Sequence, residues 1–179
     1  GHGEPIHLSC ISRFAGHQAG QIKNISFNNI NAEGEQGILI FGLKESRIEN
    51  IRLNNVKLHI RKGKETFSYG GNFDLRPATP ISMQIFEHDI PGLYAQNITN
   101  LTVDGFELSW DNQLPEFFTN AIEIANFQDV TITNMSASHS PNSKNKYDIR
   151  LSDGYGFRLF NSQSNGKDPT IERNNVKNK

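Results

Sequence analysis

The nine residues Ile22-Lys23-Asn24-Ile25-Ser26-Phe27-Asn28-Asn29-Ile30 return as Ile48-Glu49-Asn50-Ile51-Arg52-Leu53-Asn54-Asn55-Val56. Seven of the nine positions are identical or exchange one aliphatic or aromatic residue for another. An internal copy this close limits the fold severely, because every repeat must make the contacts its neighbours make. The frame, apolar-x-Asn/Asp-apolar-x-apolar-x-x-apolar, comes back at residues 98–106 and 127–135. Its starts at 22, 48, 98 and 127 lie 26, 50 and 29 residues apart, and the long middle interval predicts one degenerate copy in between.

Apolar and polar residues interleave within each copy as in a strand with one buried face. A second short apolar run precedes three of the copies, at Ile38-Leu39-Ile40-Phe41, Leu93-Tyr94-Ala95 and Ala121-Ile122-Glu123-Ile124. A unit of about 25 residues with two or three strands and no long amphipathic helix suits one coil of an all-β, right-handed parallel β-helix. Leucine-rich repeats share the period, but they follow an L-x-x-L-x-L spacing and place a helical segment after each strand. A β-sandwich needs no near-identical copies. The chain carries 21 Asn, more than its 19 Ile. Asn amides stacked at one turn of successive coils can hydrogen-bond along the stack, and Asn tolerates the left-handed backbone such turns require.

The 179 residues read as one domain over 1–160, with a protruding loop at 57–80 that contains Gly63, Gly70 and Gly71, and a final strand or tail at 161–179. Eighteen basic against 19 acidic side chains give a formal net charge of −1, so no basic field exists to hold nucleic acid. The lone Cys10 forms no internal disulfide and lacks partner thiolates for zinc. No apolar stretch approaches 18 residues, so no membrane span is expected. The six His residues show no metal-binding spacing, and neither a metal nor a cofactor is expected.

Residues 37–56, Gly-Ile-Leu-Ile-Phe-Gly-Leu-Lys-Glu-Ser-Arg-Ile-Glu-Asn-Ile-Arg-Leu-Asn-Asn-Val, resemble a coil of family 28 glycoside hydrolases, the polygalacturonase group. Residues 89–101 resemble a later coil of bacterial members, and the likeness covers about residues 20–136. It implies a right-handed β-helix, a periplasmic or extracellular location, and a polysaccharide or oligosaccharide partner of the pectin type. Members of that family cleave with inversion, using carboxylates in an N-T-D motif and a D-D pair with a His in G-H-G and the basic residues of R-I-K. Inversion needs two carboxyl groups roughly 6.5–9.5 Å apart. This chain holds neither Asn-Thr-Asp nor Asp-Asp, so it is expected to be inactive as it stands, as the C-terminal portion of a glycosidase or as a non-catalytic carbohydrate-binding β-helix. Gly1-His2-Gly3 matches G-H-G, which makes His2 a candidate. If residues 36–41 fall where the R-I-K coil would follow, Leu39 and Phe41 occupy the basic positions; the Gly-Leu-x-Glu spacing favours a register beyond the catalytic coils.

Other candidates come from the residues themselves. Glu87-His88-Asp89 is the densest titratable cluster, able in principle to move protons near neutral pH. On a strand, though, Glu87 and Asp89 would face away from His88. Asp74 and Arg76, two apart, either grip a sugar or pair with each other. Tyr94 and the only tryptophan, Trp110, offer ring faces to a sugar, or pack.

Overall fold

The computed structural model describes residues 3–64, 66–68 and 70–178. Its strands are β1 (His7–Ser9), β2 (Ile22–Gly34), β3 (Ile38–Phe41), β4 (Ile48–Ile60), β5 (Phe73–Asp74), β6 (Ile85–Phe86), β7 (Leu93–Trp110), β8 (Ile122–Thr133), β9 (Ile149–Phe160) and β10 (Ile171–Lys177). The protein is all-β with one large parallel sheet. The only helical segment among the described residues is a 3₁₀ turn at Ile81–Met83. Among the described residues no strand of the parallel sheet is followed by the helical segment that an alternating strand and helix repeat would need.

The four frame copies stack in register. Ile22 pairs with Ile48, Ile48 with Ile98, and Ile98 with Phe127. The short apolar runs form a second stacked arm, in which Ile38 meets Leu93, Leu93 meets Ile122, and Ile122 meets Ile149. The long strand β7 thus continues through positions that the preceding layer divides between β3 and β4.

Each frame copy is a strand with two bends. In β4 the buried positions are Ile48, Ile51, Leu53, Val56, Leu58 and Ile60, with a step of three wherever Asn50 or Asn55 intervenes. Those two residues have φ of 57° and 52°, in the left-handed region. Such a residue shifts the in and out alternation by one, so the next apolar side chain returns to the core as the chain turns around it. Asn is the side chain other than glycine that best tolerates this backbone.

Most of the left-handed residues form three columns. Asn24, Asn50, Asn100 and Asp129 make the first, Asn29, Asn55, Asn134 and Asn161 the second, and Asn97, Asn126, Asp153 and Asn175 the third. Side-chain amides link the layers: Asn50 Nδ2 donates to Asn24 Oδ1 at 2.8 Å, Asn100 Nδ2 to Asn50 Oδ1 at 2.9 Å, and Asn55 Nδ2 to Asn29 Oδ1 at 2.8 Å. Eleven of the 21 Asn residues have positive φ, which accounts for much of the excess of this residue.

Gly105 and Gly156 stand where two columns lack Asn, with φ of 68° and 75°. A Cβ at Gly156 would lie 2.5 Å from Asp129 Oδ1. Gly156→Ala is therefore expected to lower the unfolding free energy by about 1–2 kcal/mol in chemical denaturation, through backbone strain and displacement of that carboxylate.

The expected degenerate copy between residues 56 and 98 does not exist. β4 pairs directly with β7, and no described residue between 62 and 89 joins the parallel stack, which the chain re-enters where Ile90 and Gly92 donate to the Phe117 and Asn120 carbonyls. Residues 57–60, expected in the protruding loop, belong to β4, where Lys57 meets Glu107 at 3.0 Å. The excursion has its own antiparallel pair, β5 with β6, and buries Phe73, Leu75 and Ala78. In the terminal segment β10 pairs with β9 and adds another parallel layer. No helix of the described residues is long and apolar enough to cross a membrane.

Candidate functional site

The short-run arm alternates strictly, which fixes what reaches its outer face. Ile38 and Ile40, Leu93 and Ala95, Ile122 and Ile124, and Ile149 and Leu151 point into the core with 0% exposure. The residue between each pair faces outward, and in register these read Leu39, Tyr94, Glu123, Arg150 and, from β10, Glu172. Neighbouring strands lie about 4.8 Å apart, so the row is a linear array at that spacing.

The excursion at 62–89 covers the first part of the row. Phe86 packs edge-on against Phe41 with centroids 5.1 Å apart, and Phe73 stacks on Tyr94 at 5.7 Å. His88 follows, 5.2 Å from Phe86 and 4.4 Å from Tyr94. Beyond His88 the row continues as Glu123, only 7% exposed and in contact with His88 and Arg150, and then as the half-buried Arg150 and Glu172.

His88 bridges the cover and the row. Its Nε2 lies 3.3 Å from Glu123 Oε1, and its Nδ1 lies 2.5 Å from the Asp89 carbonyl oxygen. Both ring nitrogens face acceptors, an arrangement that the doubly protonated imidazolium satisfies and either neutral tautomer does not. Burial alone would lower the pKa of His88, but the hydrogen bond and charge of Glu123, with the contacts of Asp89, outweigh it and raise the value above 6.5. This contribution to stability is fully present below pH 6.5 and is lost as pH rises through the folded-state value. The stability difference between wild type and His88→Gln, followed by urea unfolding across pH 5–9, is expected to shrink as pH increases.

Glu123 is shared. Arg150 Nη1 lies 3.6 Å from its Oε1, while Arg150 Nε meets Glu172 Oε2 at 2.9 Å. Burial raises the pKa of Asp89, and the carboxylates of Glu123 and Glu116 push the same way against His88 and Arg150. Burial also holds the Tyr94 phenol far above its usual range, so it remains a neutral donor to Gln96 Oε1 at 2.8 Å.

The residues expected from sequence fare differently. His88, Asp89 and Tyr94 converge on the cluster just described. Glu87 is exposed at the end of the hairpin. Residues 87–89 lie beyond β6, the charges of His88 and Asp89 act on each other, and the side-chain partner of the ring comes from β8. Asp74 and Arg76 grip each other: Arg76 Nε donates to Asp74 Oδ1 at 2.9 Å and Nη2 to Oδ2 at 2.7 Å. Trp110 is half-buried, donates from Nε1 to the Ser138 carbonyl at 2.9 Å and meets Phe118 edge-on. His2 lies outside the described residues.

Glu123, Arg150 and Glu172 were missed because each stands alone in its local sequence. The available signal was positional, since they occupy the second place of the runs at 122–124, 149–151 and 171–172, as Tyr94 does at 93–95. His59 was missed for the same reason: its Nδ1 meets Ser109 Oγ at 2.8 Å and its Nε2 meets Asp111 Oδ1 at 3.2 Å, both from the adjacent layer. Among the described residues no group of three or more His, Cys, Asp or Glu is placed to hold a metal ion. Comparison with family models, with curated proteins and with solved structures gave no match.

Proposed function

We propose that the parallel stack is a right-handed β-helix related to the family 28 glycoside hydrolases, and that this chain binds a polysaccharide along its outer face without cleaving it, in the periplasm or outside the cell. The observation that carries this reading is the in-register row Tyr94, Glu123, Arg150 and Glu172, flanked by His88 and Asp89. A layer spacing of about 4.8 Å is close to the length of one pyranose unit, so the members of the row that reach solvent, Arg150 and Glu172, can address successive sugars, while Tyr94 and Glu123, 3% and 7% exposed, support the row from within. Carboxylates and a guanidinium in fixed positions accept from and donate to hydroxyl groups, and half-buried ring faces at Phe86 and His88 offer apolar contact at the margin.

The charge balance narrows the ligand. Glu123, Glu172 and Asp89 oppose Arg150 and His88, and Glu116 is paired with Lys144 at 2.6 Å, which leaves an excess of one negative charge that disfavours a uronate chain. A neutral oligosaccharide fits better than the pectin-type acid that the sequence resemblance suggests. The absence of Asn-Thr-Asp and Asp-Asp from the chain supports binding over cleavage.

Calorimetric titration with a panel of neutral oligosaccharides is expected to give saturable binding, weakened about tenfold by Arg150→Ala, which removes charge-assisted hydrogen bonds. Failure of every neutral glycan, or equal binding by Arg150→Ala, contradicts the reading. A second reading, hydrolysis by Asp89 as acid and Glu123 as base, is favoured only by the raised pKa of Asp89. Release of reducing ends that Asp89→Asn abolishes would establish it; no release is expected.

A further inference from the structure

At the end of β7 away from Tyr94, side chains from two adjacent layers meet in line. His59 and Ser109 are register partners on β4 and β7, and Asp111 follows where β7 ends, its N–H donating to the Ile60 carbonyl at 2.9 Å. Residues two apart on an extended chain share a face and lie about 7 Å apart, so the His59 ring spans the gap between Ser109 and Asp111. Its Nδ1 lies 2.8 Å from Ser109 Oγ, and its Nε2 lies 3.2 Å from Asp111 Oδ1. The carboxylate is anchored in turn, since Asp111 Oδ2 accepts from the Lys62 backbone N–H at 2.9 Å.

The chemistry of these groups fixes where the protons sit. A carboxylate only accepts, so Nε2 carries the ring proton; the neutral ring then accepts at Nδ1, and the Ser109 hydroxyl is the donor. A serine hydroxyl that donates to an imidazole held by a carboxylate is the arrangement that activates a nucleophile. The two ring nitrogens exchange the roles they have in serine proteases, which leaves the direction of proton transfer unchanged. Ser109 is exposed, and the side chains of His59 and Asp111 are 39% and 40% exposed, so a substrate can reach the hydroxyl.

The surroundings provide space for an acyl group. His59 and Ser109 border a groove of about 300 Å³ whose walls include Asn31, Lys57, Leu108 and Ser136. Lys57, two residues before His59 on the same face and 3.0 Å from Glu107, brings to the groove the sign of charge that stabilises a carbonyl oxygen under attack.

We infer that Ser109 is a nucleophile that hydrolyses carboxylic esters of small acyl groups, with His59 as its base and Asp111 as the positioning residue. As Oγ bonds to the carbonyl carbon, Nδ1 takes the hydroxyl proton and passes it to the alkoxide released when the ester C–O bond breaks. Water then attacks the acyl-serine while giving a proton to the same nitrogen. The C–Oγ bond breaks, the acid leaves, and the proton returns to Oγ. This acyl transfer is separate from the glycan-binding row and leaves glycosidic bonds untouched.

The probes are 4-nitrophenyl acetate and a fluorophosphonate, applied to the intact protein. Hydrolysis of the acetate is expected, with a fluorophosphonate adduct that mass spectrometry places on Ser109. Ser109→Ala and His59→Gln should each slow hydrolysis at least about a hundredfold with the circular dichroism spectrum unchanged. Asp111→Asn should lower kcat about tenfold and leave KM as it is, the signature of lost positioning and not of lost binding. No hydrolysis, an adduct absent from Ser109, or wild-type rates in Ser109→Ala or His59→Gln would overturn the proposal. Wild-type kcat in Asp111→Asn would overturn the role given to that carboxylate.

Discussion

Replacing Asp148 by alanine is expected to cost about 3–5 kcal/mol of stability, measured by urea unfolding. This carboxylate, 2% exposed, ties three segments at the start of β9. Oδ1 accepts from the His139 backbone N–H at 2.9 Å and faces His139 Nδ1 at 2.8 Å. Oδ2 accepts from the Thr170 backbone N–H at 2.9 Å and from its hydroxyl at 2.8 Å. Alanine leaves these part-buried donors of His139 and Thr170 without their shared acceptor, a larger loss than that of the bonds alone. Burial would raise the pKa of Asp148, but the four bonds from Thr170 and His139 prevail and lower it below 3.8. Its contribution is thus complete above pH 3.8 and is lost as pH falls through the folded-state value. The gap between wild type and Asp148→Asn should stay constant from neutral pH to about that point, then close.

Phe106→Ala is expected to lower stability by about 3–5 kcal/mol, whereas Ile30→Ala, in the same column, should cost about 1 kcal/mol. Phe106 is fully buried in β7, stacked between Val56 and Met135. Ile30 aligns with Val56 from the other side, in β2, and remains half-exposed. Removing a ring enclosed on both sides leaves a cavity that rigid neighbouring strands cannot fill. Trimming Ile30 opens a surface that water already reaches. Equal costs at the two sites would mean that the β2 layer is covered in solution.

The stacked strands were legible because the repeat writes each layer twice, once in its apolar positions and once in its asparagines. The column Asn24, Asn50, Asn100 and Asp129 follows directly from aligning the third position of the frame. The missing copy between residues 56 and 98 was misread from arithmetic: an interval near two periods says nothing of whether the chain inside it stays in the stack. Phe73 and Phe86 had a better use for that segment, covering Leu39, Phe41 and Tyr94, whose outward positions are too apolar to face water. In the candidate site His88, Asp89 and Tyr94 could be read from local density of titratable and aromatic groups. Glu123 and Arg150 could not, because proximity across a parallel stack depends on register and not on sequence distance. The same limit hid the contacts of Asp148 with His139 and Thr170, separated by 9 and 22 residues.

A crystal structure with a bound neutral oligosaccharide gives the most direct test of the functional reading. The sugar is expected along the outer face across β8, β9 and β10, with hydroxyl groups within hydrogen-bond distance of Arg150 and Glu172 and one ring against Phe86 or His88. A ligand bound elsewhere, away from Arg150 and Glu172, would contradict it.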